Sequence, residues 1–164
     1  MKIKVPAAGW MHRLPAAPQV AMPETRAYQC VAIGLDFAGG EDRLLAEAKR
    51  FLGPVKPRVF LLHVVESPVA RAVGEQAADR ETSADRHRLQ TYAEVLREAG
   101  IEADWRLGAG DPVKELVRLL GETGADLLIL GAHRHRGVSD LVHGATANAL
   151  RHAVDVPVLL VPVA

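Results

Sequence analysis

The residues best suited to chemistry lie between Asp126 and Val163. Asp126-Leu127-Leu128-Ile129-Leu130 is an apolar run. Gly131-Ala132-His133-Arg134-His135-Arg136-Gly137 follows, with glycines at both ends and basic side chains between them. Gly144-Ala145-Thr146-Ala147-Asn148-Ala149-Leu150 reads as a helix start, and Val156-Pro157-Val158-Leu159-Leu160-Val161 as a second apolar run. Strand, glycine-punctuated loop, helix and strand in that order make a cradle for phosphate or a nucleotide. In an open parallel sheet such a loop lies at the carboxyl end of its strand, where ligands bind. The helix behind it turns partly positive N–H groups toward the same space. Arg134, His135 and Arg136 either extend that anion site or form a solvated loop. A loop of roughly twelve residues in a compact domain usually has a function, which favours the first reading.

A carboxylate stands earlier in the chain. Cys30-Val31-Ala32-Ile33-Gly34-Leu35-Asp36 reads as a strand ending on an acid. Asp36 can cap the next turn or face a ligand.

Other chemistries find little support. Ser67, Ser83 and Ser139 lie outside any Gly-x-Ser-x-Gly elbow. No lysine follows the glycines as a P-loop would require. His133 and His135 alternate as metal ligands can, and His143 and His152 lie nearby, but no cysteine or carboxylate completes a recognisable spacing. No metal site and no catalytic residue are expected. His63 lies in an apolar strand and reads as a satisfied core histidine. Cys30 reads as core rather than nucleophile.

These residues need elements to hold them. After Tyr28 the chain alternates between apolar strands and amphipathic helices. Leu44, Leu45, Ala48, Phe51 and Leu52 recur at helical spacing, and Gly53-Pro54 ends that helix. Arg58 to Val65 is a nearly all-apolar strand, as expected of a strand covered on both faces. A loop over 67–75 leads into a long polar helix from about Gln76 to Ala99, capped by Gly100. Ile101 to Leu107 reads as an outer strand. Asp111 and Pro112 start the next helix, with Val113, Leu116, Val117 and Leu120 on its apolar stripe and Gly121 and Gly124 at its end. The order β-α-β-α-β-α-β-α-β implies a parallel sheet with helices on both faces.

Composition narrows the class. A chain of 164 residues suits one domain with its own core. Lys plus Arg and Asp plus Glu number 20 each, so no net field draws the chain to nucleic acid or an anionic membrane. No apolar run reaches the ~18 residues of a membrane span, so direct insertion is not expected. One cysteine fits a reducing compartment, and a cytoplasmic location is expected. Residues 1–27 carry Pro6, Pro15, Pro18 and Pro23 and no sustained hydrophobic period. They read as an N-terminal extension or linker, with Trp10, Met11 and Leu14 able to dock on the domain or on a partner. Residues 28–164 form the domain.

Several separated blocks, taken in order, resemble the universal stress protein family. They are the strand ending at Asp36, Leu62-His63-Val64-Val65, Gly108-Ala109-Gly110-Asp111-Pro112, Asp126 to His133, and Leu150-Arg151-His152-Ala153 through Val161. The resemblance implies a Rossmann-like, adenine nucleotide alpha hydrolase-like α/β fold: a five-stranded parallel sheet in the order 3-2-1-4-5. It also implies a homodimer. Family members that bind ATP carry Gly-x2-Gly-x9-Gly-Ser/Thr in the fourth loop. Gly131 and Gly144 match the first and third glycines; Arg134 and Ala145 depart, with Thr146 beside Ala145. The resemblance carries over Asp36 as partner of the adenosine part. Gly34 and Val64 would line the base through their backbone, and Gly131, His133, Gly144, Ala145 and Thr146 would face ribose and phosphates. Arg134 can block the pocket or offer a guanidinium to phosphate, and Gly137 closes its basic cluster. The hydroxyl lost at Ala145 costs about 1.5–3 kcal/mol, roughly tenfold or more in affinity.

The edge position of the last strand in that winding gives a partner. Val156–Val163 is apolar, and an uncovered apolar edge pairs readily with a copy of itself. The leading reading is a stress-associated, non-enzymatic regulatory homodimer that acts on an unknown protein partner, with weak, altered or absent adenine-nucleotide binding. The cofactor is then ATP or AMP with Mg2+, or none, and any ATP hydrolysis is slow and incidental. Two alternatives stay open: an ATP- or AMP-binding sensor, and a regulatory domain linked to a membrane transporter.

Overall fold

The computed structural model describes residues 26–65, 75–133, 148–150 and 152–163, the side chains of 75–79 and 81 excepted. Five strands and three long helices occupy these segments. They are β1 (Cys30–Gly34), α1 (Glu41–Leu52), β2 (Arg58–Val65), α2 (Glu75–Glu98), β3 (Ala103–Ala109), α3 (Pro112–Thr123), β4 (Leu127–Ala132) and β5 (Val158–Pro162). All pairings are parallel, in the order β3-β2-β1-β4-β5. That is the α/β architecture expected from the alternation of elements and from the family resemblance.

The alternation of side chains along each strand builds two cores. Val31, Ile33, Val59, Leu61, Leu127 and Ile129 face one side of the sheet, under Leu44 and Ala48 of α1 and Leu89, Ala93 and Leu96 of α2. Ala32, Phe60, Leu62, Leu128 and Leu130 face the other, under Leu116, Leu119 and Leu120 of α3 and Leu150. Each large side chain fully buried there contributes about 1.5–3 kcal/mol. A strand covered on both faces must be apolar at every position, which is why β2 is buried from Val59 to Val65.

Turn chemistry sets the ends of α3. The Asp111 carboxylate accepts the Lys114 N–H at 2.9 Å, and Pro112 occupies the first turn. Gly124 closes the helix in the left-handed conformation (φ 63°). Gly121, expected at the end, lies inside the helix instead. Two other boundaries differ from the sequence reading. Gly131 and Ala132 belong to β4 rather than to the loop, because they pair with Val161 and Pro162. The last strand begins at Val158 rather than Val156.

Candidate functional site

The chain reverses its winding between β1 and β4. From β1 the sheet grows toward β2 and β3; from β4 it grows toward β5. In open α/β sheets the carboxyl ends of the two strands at such a reversal are the usual ligand position.

The register brings Asp36 to that reversal. Gly34 lies opposite Leu130, so Asp36 and His133 emerge side by side just beyond the paired rungs. His133 Nε2 lies 2.9 Å from Asp36 Oδ2. A carboxylate only accepts, so the proton of this bond sits on Nε2. The other oxygen, Oδ1, accepts the Ala38 N–H at 3.1 Å. The His133 side chain is 7% exposed and the Asp36 side chain 45% exposed. The imidazole is a buried prop. The carboxylate is open to solvent on one side and keeps lone pairs for a hydroxyl or amino donor.

The neighbouring backbone shapes the rest of the rim. Pairing between β1 and β2 stops at Gly34 and Leu62, with a last bond from Leu35 N–H to Leu62 O at 2.8 Å. β2 runs on through Val64 and Val65, so Val64 projects past the end of β1. Gly34 leaves room for Leu130: a Cβ there would lie 2.6 Å from Leu130 Cδ2, which would have to shift. Gly131 is less constrained, with Val163 no nearer than 3.4 Å to a Cβ built on it.

The turn after Asp36 holds Phe37 and Glu41, which the sequence reading passed over, beside the chain-breaking glycines at 39 and 40. Phe37 adopts a left-handed backbone (φ 55°), uncommon for a bulky side chain. Gly40 (φ 92°) caps α1 against Val163. Glu41 folds back to accept the Gly39 N–H at 3.1 Å. Nothing in the type of residue 37 announces this conformation; the glycines at 39 and 40 are the only local signal of a sharp turn.

Of the residues expected at the site, Gly34, Asp36, Val64, Gly131 and His133 share this rim. Arg134, Gly137, Gly144, Ala145 and Thr146 lie outside the described residues. Among the described residues no three His, Cys, Asp or Glu side chains form a metal cluster. Cys30 is half-buried with Sγ 3.6 Å from the Thr123 carbonyl. Burial, and then the nearby Asp126 carboxylate, push its thiol pKa up. His63 is buried with both ring nitrogens partnered, as read from the sequence.

The sequence model of the universal stress protein family matches residues 27–162. The chain belongs to the universal stress protein family. The universal stress protein A homolog 2 of Coxiella burnetii is 29% identical over 139 residues, covering 82% of this chain and 94% of the relative. The universal stress protein Slr1230 of Synechocystis is 32% identical over 98 residues, 60% of this chain. The match spans only 31% of that Synechocystis relative. Among solved structures, a universal stress protein in complex with cAMP superposes with a TM-score of 0.62 at 20% identity, over 85% of this chain and all of the other. The universal stress protein from Archaeoglobus fulgidus in complex with dAMP superposes with a TM-score of 0.53 at 16% identity, over 82% and 98% of the two chains. At these identities the structural likeness speaks for the fold. Among the described residues no helix is long and apolar enough to cross a membrane.

Proposed function

We propose that this protein is a non-enzymatic regulatory member of its family that binds an adenine nucleotide weakly at the Asp36–His133 rim and acts as a homodimer. The observation that carries the nucleotide reading is the open Asp36 carboxylate, held by the buried His133 where the sheet reverses its winding. Asp36 would take the adenosine part, and the backbone at Gly34 and Val64 would line the base. Gly131 and His133 would stand on the phosphate side. The adenine nucleotides in the cAMP and dAMP complexes of two structural neighbours support that ligand class. Arg134 and Ala145, where ATP-binding relatives carry Gly and Ser/Thr, argue for weakened phosphate binding. Mg2+, where present, would serve the phosphates of ATP rather than AMP.

Isothermal titration with AMP and ATP tests the reading. Wild type should bind AMP, and Asp36→Ala should lose about tenfold or more, the usual consequence of losing a hydrogen bond to a charged group. Equal affinity in the two proteins would refute the role of Asp36.

The dimer reading rests on the contrast between the two sheet edges. β3 carries Asp104 and Arg106, 3.1 Å apart. Burial pushes the Asp104 carboxyl pKa up, but the Trp105 N–H and the Arg106 guanidinium outweigh it and hold the pKa below the ordinary value. An edge guarded by charge resists pairing. β5 is apolar, and Leu160 (48% exposed) and Phe51 of α1 (52% exposed) stand beside it. Pro157 O and Val163 N both bond inward to β4, at 3.0 and 3.1 Å. Strand alternation therefore turns the backbone groups of Val158 and Leu160 outward. Pro162 also faces outward, where its missing N–H costs no bond within the sheet. A second copy would pair through Val158 and Leu160, with residues 1–27 left as an extension from the domain.

A further inference from the structure

His63 is a buried polar residue in the packed sheet, 7% exposed. A ring with two polar atoms in a packed sheet face must find partners for them. His63 finds them on two different elements. Nδ1 lies 2.7 Å from the Leu35 carbonyl oxygen, and Nε2 lies 3.3 Å from Asp85 Oδ2 on α2. Leu35 is the residue just past the β1–β2 ladder, and its carbonyl belongs to the peptide plane that leads into Asp36. Where the backbone ladder ends, the His63 ring fixes that plane.

Phe37, on the other side of Asp36, is held by the same cluster. Its ring centroid is 4.5 Å from that of His63, and the Arg88 guanidinium carbon lies 3.9 Å from its centroid. Arg88 is 3.8 Å from the free oxygen of the same carboxylate, Asp85 Oδ1. Tyr92 stacks at 6.5 Å from Phe37. Asp36 is thus flanked by two residues that β2 and α2 grip from one face of the sheet, while its own carboxylate meets His133. A left-handed Phe37 needs such support, because a bulky residue does not hold that conformation unaided.

We propose that His63 is the positioning residue of the ligand rim, and that Asp85 and Arg88 make helix α2 part of the same device. His63 acts through the Leu35 carbonyl and Phe37 rather than on a ligand. Both of its hydrogen bonds form together only when both ring nitrogens carry protons, because a carbonyl and a carboxylate each only accept. An amide at position 85 can donate to a neutral ring instead, so Asp85→Asn should preserve the link and Asp85→Ala should break it.

The inference rests on the proposed nucleotide site only for its binding readout. The test compares wild type with Asp85→Ala, Asp85→Asn, His63→Leu and, as a stability control on the opposite face, Val117→Ala. Backbone 1H–15N resonances of Asp36, Phe37 and Ala38 are recorded without ligand, and AMP affinity is then measured by titration. The expected result is displaced turn resonances and about tenfold weaker AMP binding in Asp85→Ala, since small misplacements of a binding group cost affinity steeply. Asp85→Asn should keep wild-type resonances and affinity, and Val117→Ala should keep both even with a lowered melting temperature. The Asp85 side chain is partly buried, 14% exposed, and Asp85→Asn keeps its size and shape, so that variant remains informative if His63→Leu fails to fold. Unmoved turn resonances in Asp85→Ala would overturn the positioning role. If wild type binds no AMP, the nucleotide reading fails, and the ligand-free resonances still decide the role of His63.

Discussion

Gly40→Ala should destabilise the fold sharply. Gly40 sits at φ 92°, and a Cβ built on it lies 2.9 Å from both Val163 Cβ and the Val163 carbonyl oxygen. Two costs combine. A left-handed backbone costs a residue with a Cβ about 1–2 kcal/mol. Overpacking against a backbone oxygen, which cannot rotate away as a side-chain tip can, costs about 1–3 kcal/mol. The sum is roughly 2–5 kcal/mol. At about 2–4 °C per kcal/mol for a domain of this size, the melting temperature should fall by about 4–20 °C. Gly39→Ala separates the two costs, because Gly39 shares the positive φ (105°) but has nothing within 4 Å of its Cβ. It should show the backbone part alone. Circular dichroism melts of the three proteins at one fixed concentration make the comparison, since association would shift the midpoint. Equal melting temperatures for Gly39→Ala and Gly40→Ala would refute the seating of Val163 on the α1 N-terminus.

Gly121→Ala should stabilise α3 by about 0.5–1 kcal/mol, because the position is helical and a Cβ meets nothing within 4 Å; a urea titration measures it, and a lowered midpoint would count against the placement. Cys30 should alkylate slowly at neutral pH in the native chain and at an ordinary rate once unfolded. Burial and Asp126 raise its thiol pKa, so the native state favours the protonated form. Stability from this source is complete below the ordinary thiol range and is lost as pH rises through the raised value; native labelling as fast as unfolded labelling would contradict it. Leu160→Asp should convert a dimer into a monomer by light scattering at micromolar concentration, and an unchanged mass would exclude the β5 edge.

How much of this could be read from the sequence depended on the range of the interaction. Local rules gave the strands, because β2 can be buried on both faces only if Val59 to Val65 is apolar throughout. They also gave the α3 cap, since Asp111 followed by Pro112 has few other uses. They misplaced the end of α3, because Gly121 and Gly124 look alike in sequence and only the second takes the left-handed conformation. The edge of β4 was set by its partner: Gly131 and Ala132 are strand because Val161 and Pro162 lie beside them. Asp36 and His133 were legible as separate candidates. Their bond depends on the register between β1 and β4, which no local pattern encodes. His63 was legible as a satisfied core residue. Its tie to Leu35 and Asp85, and the conformation of Phe37, arise from packing of α2 and carry no sequence signal.

We propose that the carboxyl ends of β1 and β4, joined through Asp36 and His133, receive an adenine nucleotide. The most direct measurement is the change in backbone amide resonances as AMP is added to the 15N-labelled protein. Saturable shifts concentrated at Gly34, Asp36, Val64, Gly131 and His133 are expected. Shifts confined to other parts of the sheet, or none at millimolar AMP, would contradict it.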